Sequence, residues 1–180
     1  CDLTGEVQWM RRMIDRYDDV ARQSGARIVH AAGFDSIPSD LGVLLAQERL
    51  RELRGAPARE LRLRLRRQAG GVSRGTLESM VQLVKEATRE SWIRELLKDP
   101  RSLEPGWAPP GRRTPSPPWR DPSSRRWSLS FLMEAVNRRV VHRSNGLLGY
   151  PWGGEFGYHE LFLLGRGFGG FLAALGGRLA

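Results

Sequence analysis

The chain has 180 residues and a formal net charge of +9, from 29 basic and 20 acidic residues. Every basic residue except Lys85 and Lys98 is an arginine, and the arginines are scattered rather than gathered in one stripe. This bias is more typical of coding composition than of selection for phosphate contacts, so the charge argues against nucleic-acid binding. The single cysteine, Cys1, excludes an internal disulfide framework and favours a reducing, cytoplasmic compartment.

The first third of the chain alternates predicted helices and strands. Residues 6–23 have a helical repeat of apolar side chains and are followed by Gly25, which suits a helix C-terminus. The run "RIVHAA", residues 27–32, predicts a short buried strand, and residues 37–53 predict a second helix. This order favours an α/β fold with a parallel sheet. The opening stretch "CDLTGE" is typical of the end of a strand, so we expect the chain to be a piece of a larger protein.

The pattern changes after residue 55. Residues 59–67, "RELRLRLRR", alternate leucine with arginine, which predicts a strand with one wet face in an antiparallel or mixed sheet. Residues 76–97 predict one long helix, with Thr76 and Ser79 as capping hydroxyls near its start.

The last part of the chain begins with a proline-rich stretch. Residues 99–127 hold eight of the eleven prolines, which predicts a long excursion or a disordered insert. We expect a helix in the first half of residues 127–149, and then a strand over 154–164. One side of that strand would carry Phe156, Tyr158 and Glu160. The glycine-rich apolar end predicts a packed or interfacial helix, because its uncharged run is too short to span a bilayer.

Two loops stand where a predicted strand gives way to a helix: "DLTGE" at 2–6 and "GFDSIPSD" at 33–40. Ligands of open α/β sheets gather beyond the carboxyl ends of the strands. Each loop joins a glycine, which allows close backbone approach, to a helix N-terminus with unpaired N–H donors. Helix capping would explain the two serines, the proline and Asp40, but it does not require Phe34 or Asp35.

The same loops carry a resemblance to a known family. "CDLTGE" and "GFDSIPSDLG" occur with "GGVSRGTLESM", "LLKDPRSLEP" and "NRRVVHRSNGLLGYPWGGEFGYHE" in one order along nearly the whole chain. This set is similar to the saccharopine dehydrogenase-like oxidoreductases. It resembles most the branch that includes the trans-acting enoyl reductases of lipid and polyketide assembly.

The resemblance implies an NAD(P)-binding Rossmann domain followed by a mixed substrate and dimerisation domain. Residues 1–55 would be the C-terminal part of a Rossmann-type parallel sheet, and residues 56–180 an incomplete mixed α+β domain. No G-x-G-x-x-G turn stands at the expected place, so we expect this chain to begin after the phosphate-binding half and to bind NADPH weakly or not at all by itself. Arg74, Arg101 and Trp152 depart from the family pattern, which affects the predicted shape of the substrate cavity.

The resemblance also assigns residues to the nicotinamide end of an NADP or NAD cofactor. They are the polar, glycine and aromatic residues of the two loops: Thr4, Gly5, Glu6, Gly33, Phe34, Asp35 and Ser36.

Reduction of an enoyl thioester creates an enolate that needs a hydrogen-bond donor and then a proton. Candidate donors are Tyr158, His159 and His142, with Arg143 as an oxyanion or carboxylate clamp, and we favour Tyr158 and Arg143. The structural alternatives are packing for Tyr158, a surface position for both histidines, and an ion pair with Glu134 or Glu160 for Arg143. His30 fits a hydrogen-bonded core position. The three histidines and one cysteine lack the spacing of known metal motifs, so no metal site is predicted.

Three functional hypotheses remain open. The first is an NAD(P)-dependent oxidoreductase acting on a lipid- or polyketide-type enoyl or keto substrate, a small molecule or linked to an acyl carrier, and a homodimer when full length. The second is a non-catalytic remnant that keeps the substrate or dimerisation surface. The third is a basic peripheral protein that docks on anionic membranes through its apolar C-terminal segment and arginines, which would bring a cytoplasmic protein to the membrane.

Overall fold

The computed structural model describes residues 1–67, 74–108 and 120–179. They form a mixed α/β arrangement of helices and strands in the order α1 (Val7–Ser24), α2 (Ile37–Arg54), β1 (Glu60–Leu65), α3 (Arg74–Arg89), α4 (Ser91–Lys98), β2 (Ser128–Ser130), α5 (Glu134–Leu147), β3 (Gly157–Leu163) and α6 (Phe168–Leu179). None of the helices in these ranges combines the length and the hydropathy that a bilayer-crossing helix requires.

The described strands make one three-stranded sheet with the order β1-β3-β2. β1 runs parallel to β3, and β2 runs antiparallel to it. The strand predicted from the leucine–arginine alternation and its place in a mixed sheet are therefore confirmed. These three strands all lie between residues 60 and 163, so the Rossmann-type sheet predicted for residues 1–55 stays a prediction, as does the domain division.

Helix α5 lies between two apolar clusters. Its residues Val136 and Val140 pack on the first cluster, whose buried members are Val7, Met10, Ile14, Ala31, Leu96 and Leu103. Its Val141 belongs to the second cluster, with Val43, Trp152, Phe156 and Tyr158. Because α5 is enclosed from both sides, its polar side chains are buried as well, and these are Glu134, Asn137, Arg138, Arg139, His142 and Asn145. Both clusters join residues from before and after position 55.

Residues 27–32 do not form the predicted buried strand. They lie beside Asp2, whose N–H donates to the Val29 carbonyl and whose carbonyl accepts from Ala32 N–H, at 3.0 and 2.8 Å. Ile28 and Val29 are 54% and 44% exposed. A strand requires a neighbour paired along its length, and Asp2 supplies only these two backbone–backbone bonds among the described residues.

Helices α1 and α2 begin and end close to their predicted positions. Ser36 stands at the N-cap position of α2, with Pro38 and Asp40 in the first turn as predicted, but the predicted side-chain capping is wrong. Neither Ser36 nor Ser39 makes a side-chain cap. The Ser36 hydroxyl donates to Asn137 Oδ1 at 2.8 Å, and the Ser39 hydroxyl donates to Glu160 Oε1 at 2.6 Å. These serines therefore tie the loop to α5 and β3, a tertiary role that local spacing does not reveal.

The single helix predicted for residues 76–97 is two helices, broken at Glu90. This residue has an extended backbone, with φ −116° and ψ 115°. Its carboxylate accepts hydrogen bonds from Trp92 Nε1 and from the Arg12 guanidinium, which hold the break in place. The predicted capping by Ser79 is also wrong, because its hydroxyl donates to Glu6 Oε1 at 3.1 Å.

Part of the expected insert is ordered. Ser102 and Leu103 have no more than 1% of their surface exposed. Arg139 donates to the carbonyls of Leu96 and Leu97 and to the Ser102 hydroxyl. These bonds join the end of α4 and the following turns to α5. The buried Arg139 guanidinium therefore holds the beginning of this proline-containing stretch in place. Residues 109–119 lie outside the described part of the chain.

The helix predicted for the first half of residues 127–149 is present but begins and ends later than predicted. β2 occupies residues 128–130, and α5 begins only at Glu134. Pairing with β3 determines this: the Leu129 backbone pairs with Phe162 in the ladder, and Phe131 N–H donates to the Glu160 carbonyl at 2.9 Å. The predicted strand is confirmed as β3, which spans Gly157–Leu163. Tyr158 and Glu160, two residues apart, share one side and are joined by a hydrogen bond, whereas buried Phe156 precedes the strand.

Candidate functional site

The two loops singled out in the sequence meet at one cavity of about 370 Å³. Its lining includes Leu3 and Ala31, the beginning of α3 and the beginning of α5. Six of the seven residues predicted for the cofactor line it: Thr4, Gly5, Glu6, Gly33, Asp35 and Ser36. The seventh, Phe34, is 90% exposed and is not among the lining residues.

The Asp2–His30 pair holds the loops together. His30 Nδ1 lies 2.5 Å from Asp2 Oδ2, and Thr4 N–H donates to Asp2 Oδ1 at 3.1 Å. Burial by itself would raise the pKa of Asp2, but hydrogen bonds from His30 and from two backbone N–H groups outweigh it and lower that pKa. The predicted hydrogen-bonded role of His30 is confirmed, although no strand contains it.

The two glycines keep space open on the cavity wall. A Cβ on Gly5 would lie 3.9 Å from Val136 Cγ2, and one on Gly33 would lie 3.3 Å from Leu3 Cδ2. Ala31, which also lines the cavity, has a positive φ of 51°, a conformation that costs free energy in a residue with a side chain. The wall therefore presents backbone rather than side chains at these points.

First-turn or capping residues of four helices line the cavity: Glu6 before α1, Ser36 before α2, Gly75 in α3 and Ala135 in α5. Helix N-termini carry partial positive charge and unpaired N–H groups, so this arrangement favours negative charge inside the cavity. The carboxylates of Glu6 and Asp35 oppose it in part.

Three hydroxyl groups line the cavity, and two of them already donate hydrogen bonds, Ser36 to Asn137 and Ser79 to Glu6. The third, that of Thr4, accepts a hydrogen bond from Glu6 N–H at 3.1 Å. Its own proton has no acceptor within the residues that the structure describes. Thr4 is thus the hydroxyl most available to a bound molecule.

Tyr158 is buried, as its structural alternative predicted, and does not line the cavity. Its hydroxyl donates to Glu160 Oε1 at 2.8 Å. Burial, and then the Glu160 carboxylate, raises the pKa of Tyr158 above its usual range, so the phenol stays neutral. A chain of hydrogen bonds joins it to the cavity wall through Glu160, Asn137 and Ser36.

Arg143 lies apart from this cavity. Its guanidinium donates to the Leu103 carbonyl at 2.9 Å and lies 3.7 Å from Asp18 Oδ1. It lines two other depressions, beside α1. The structure thus brings the predicted cofactor residues together but does not bring Arg143 to them, and the predicted pairing with Glu134 or Glu160 is wrong.

The predicted surface positions of His142 and His159 are wrong, because both side chains are buried. His159 Nδ1 lies 3.4 Å from Glu134 Oε1. Within the described part of the chain, both ring nitrogens of His142 lack a hydrogen-bond partner. Burial, and then the surrounding arginines, lowers the pKa of His142 to about 3, so this ring is neutral near pH 7.

The α3 and α5 side of the cavity did not emerge from sequence reasoning. Ser79 and Leu83 of α3 line it, together with Met133 and Val136 at the beginning of α5. The signal was indirect: "GGVSRGTLESM" resembled the family without suggesting any role. The described residues contain no group of three or more His, Cys, Asp or Glu side chains that could hold a metal ion.

Comparison with known proteins finds relatives named for one activity. A Mycobacterium tuberculosis protein, provisionally named a trans-acting enoyl reductase, is 37% identical over 172 residues, which cover 91% of this chain and 41% of that protein. The trans-acting enoyl reductase of Mycobacterium ulcerans is 35% identical over 188 aligned residues, 96% of this chain and 44% of that protein. That of Mycobacterium bovis is 34% identical over 174 residues, 92% and 42% respectively. The chain is similar to trans-acting enoyl reductases.

The chain spans about two fifths of the length of these relatives. No protein-family model and no solved structure matches it. The relatives' names agree with the enoyl reductase branch of the resemblance. The wider saccharopine dehydrogenase-like assignment stays a prediction.

Proposed function

We propose that the chain is part of a nicotinamide-dependent enoyl reductase of the saccharopine dehydrogenase-like group, acting on a lipid- or polyketide-type enoyl thioester. The observation that carries the proposal is that the two loops assigned to the nicotinamide from the sequence line one cavity. The names of the similar mycobacterial proteins support the same reaction.

The cavity residues fit the nicotinamide end of NADP or NAD. Gly5 and Gly33 leave room where a Cβ would contact Val136 or Leu3, so a flat ring could lie against the backbone. Leu3, Met133 and Val136 offer apolar contact to the ring faces. The carboxylates of Glu6 and Asp35 would accept hydrogen bonds from carboxamide or ribose groups.

The bound nicotinamide would supply a hydride to the enoyl β-carbon, and the α-carbon of the resulting enolate would take a proton from water. The protein's part is to bind, orient and stabilise charge. Negative charge would develop on the thioester oxygen as the enolate forms. Four helix N-termini around the cavity favour that charge. Thr4, with a proton free to donate, would hydrogen-bond the enolate oxygen directly.

Tyr158 has a different role in this proposal from the one predicted. It is buried behind Ser36 and donates to Glu160, so it acts on the cavity only through the position of Ser36 and Asn137. Arg143 has no part in the reaction as proposed here, because it lines other depressions.

The decisive experiment uses half of the cofactor. We expect the chain to bind nicotinamide mononucleotide and not adenosine monophosphate, as measured by the line broadening of ligand NMR signals on titration with protein. Gly5→Leu should abolish this binding, because the new side chain would occupy the cavity beside Val136. Gly42→Leu is the matched control, since no atom lies within 4 Å of an added Cβ there. Equal binding of both nucleotides, or unchanged binding in Gly5→Leu, would contradict the proposal that this cavity binds the nicotinamide.

The reaction itself can be followed with the reduced mononucleotide as hydride donor and a short trans-2-enoyl thioester as acceptor. Thr4→Val should lower the rate of saturated thioester formation about a hundredfold, the usual cost of losing one donor to a developing oxyanion. Thr4→Ser keeps the hydroxyl and should retain most of the rate. Equal losses in both variants would assign Thr4 a structural role.

A further inference from the structure

Helix α6 presents an apolar face to solvent. Phe168 and Leu172, four residues apart on one side of the helix, are 73% and 49% exposed. Ala174, on the opposite side, is fully buried, and the Phe171 ring lies between, 5.0 Å from the Trp127 ring and 6.0 Å from the Phe168 ring. The helix is thus anchored to the β2 side of the sheet while its outer aromatic residue remains uncovered.

Arginines lie along the segment that anchors α6. The turn at residues 120–127 is tied to the chain before α6, because Trp127 N–H donates to the Gly165 carbonyl and Leu164 N–H donates to the Trp127 carbonyl, at 3.1 and 2.7 Å. The exposed arginines of these two segments are Arg120, Arg125 and Arg166.

The end of β1 adds two further arginines at the edge of the molecule where these segments lie. β1 and β3 are parallel, with Leu65 opposite Phe162, so their C-terminal ends meet at one side of the sheet. Arg66 and Arg67 follow β1 there and are exposed. β3 leads from that edge directly towards Phe168.

Acidic side chains do not balance this charge. From Pro105 to Met133 the sequence contains one acidic residue, Asp121, and none follows Glu160. Asp121 has no exposed surface, and its carboxylate accepts from Arg64 at 2.9 Å and from Ser124 N–H at 2.7 Å. The exposed part of this edge is therefore basic.

We propose that α6 and the arginines beside it form a docking surface for anionic lipid bilayers. Phe168 and Leu172 would enter the boundary between head groups and acyl chains, while the arginines contact anionic head groups. Each basic side chain near such a surface adds attraction that falls off within a Debye length. None of these residues lines the cavity described above, so the surface and the proposed reaction can be tested apart.

The apolar part distinguishes a bilayer from other partners. A nucleic-acid backbone offers charge to the arginines but no apolar layer to receive Phe168 and Leu172. A second copy would bring the same positive edge against itself, which like charges oppose. A bilayer of anionic lipid offers an apolar layer to Phe168 and Leu172 and negative head groups to the arginines.

The test is flotation of the full 180-residue chain with vesicles of phosphatidylcholine alone and of phosphatidylcholine mixed with phosphatidylglycerol. We expect binding to the mixed vesicles only, weakened by high salt. Phe168→Ser should reduce the partition coefficient about tenfold, and Arg166→Gln about fivefold. Leu45→Ser and Arg49→Gln on α2 are matched controls, because Leu45 is 65% exposed and Arg49 is also exposed, and both should bind as the parent does.

Three results would overturn the proposal: no flotation with anionic vesicles, equal losses in the α2 controls, or binding to a short DNA duplex that matches vesicle binding and survives Phe168→Ser. Circular dichroism melting of each variant shows that the fold persists. Loss of vesicle binding with an unchanged melting temperature in Phe168→Ser supports the docking surface. Nicotinamide mononucleotide binding should be the same in all four variants.

Discussion

Glu160 is a carboxylate with no exposed surface, at the centre of a hydrogen-bonded group formed with Ser39, Asn137 and Tyr158. Among the described side chains no cation pairs with it, so donated hydrogen bonds are what stabilise its buried position. Asn137 contributes through its amide N–H atoms, 3.1 and 3.0 Å from the two carboxylate oxygens, and its own oxygen accepts from Ser36. This residue therefore joins the cavity wall to the sheet.

Replacing Asn137 tests that role. Asn137→Leu keeps the side chain at a similar size, but it removes two of the hydrogen bonds to buried Glu160 and leaves the buried Ser36 hydroxyl without its acceptor. We expect the free energy of unfolding to fall by about 1–3 kcal/mol in urea titrations. Gln82→Ala, which removes an exposed amide bonded to Glu86, should change it by less than about 0.5 kcal/mol. Equal effects in the two variants would contradict the role given to Asn137.

His142 makes stability depend on pH. Its pKa in the folded chain is about 3, whereas an unfolded histidine has a pKa of about 6.5. Below pH 6.5 the unfolded state binds a proton that the folded state rejects, so the free energy of unfolding should fall by up to about 1.4 kcal/mol per pH unit. Burial raises the pKa of Glu104, so protonation of this carboxyl group stabilises the folded chain as the pH falls. This effect is opposite to that of His142, but it occurs only in the pH range where carboxylates titrate.

The measurement is a series of urea titrations between neutral and mildly acidic pH. His142→Leu keeps an apolar contact with Phe156. In this variant the free energy of unfolding should change less with pH between neutral and mildly acidic conditions. A slope of the same size in the variant would assign the pH dependence to another group.

At the scale of the element, α6 depends on one glycine. A Cβ on Gly170 would lie 2.3 Å from the Gly165 carbonyl oxygen and 2.6 Å from its carbonyl carbon, so the backbone would have to move. A Cβ on the neighbouring Gly169 would meet nothing within 4 Å. The same substitution should therefore have opposite effects at adjacent positions.

Gly170→Ala should destabilise the chain by about 1–3 kcal/mol, as overpacking does. Gly169→Ala should be neutral or stabilise it by about 0.5 kcal/mol, because alanine restricts the unfolded chain. Thermal unfolding followed by circular dichroism compares them. Similar melting temperatures for the two variants would mean that α6 does not pack on Gly165 as described.

Elements with a long apolar repeat were the ones that sequence alone could locate. α1, α2 and β3 lie close to their predicted positions because several residues along each one repeat the same periodicity. Residues 27–32 and β2 were misassigned, since pairing with a distant segment decides whether a short run becomes a strand. The break at Glu90 likewise depends on Arg12, a partner far along the chain.

At the scale of the whole molecule, α5 makes the two apolar clusters one folding unit. Val136 and Val140 pack on the first and Val141 belongs to the second. Losing either cluster would remove hydrogen-bond partners from polar groups of α5 that stay buried against the other cluster, and unpaired buried polar groups cost free energy. We therefore expect a single cooperative unfolding transition in the 180-residue chain.

Coincident urea transitions by tryptophan fluorescence and far-ultraviolet circular dichroism would show this cooperativity. Met10→Ala in the first cluster and Val43→Ala in the second should each shift both signals together. Two separated transitions, or a variant that shifts only one signal, would mean that the parts on either side of residue 55 unfold independently.

The amino-acid sequence by itself determined the helices with long periodic faces, the leucine–arginine strand and the two glycine-bearing loops that line the cavity. These features are local, because spacing, glycine and helix-start chemistry act within a few residues. Only the tertiary structure decided that Ser36 and Ser39 bond to α5 and β3, that His142 is buried, and that Arg143 lies away from the loops. Such outcomes depend on which distant surfaces exclude water from a polar group, and no local pattern carries that information.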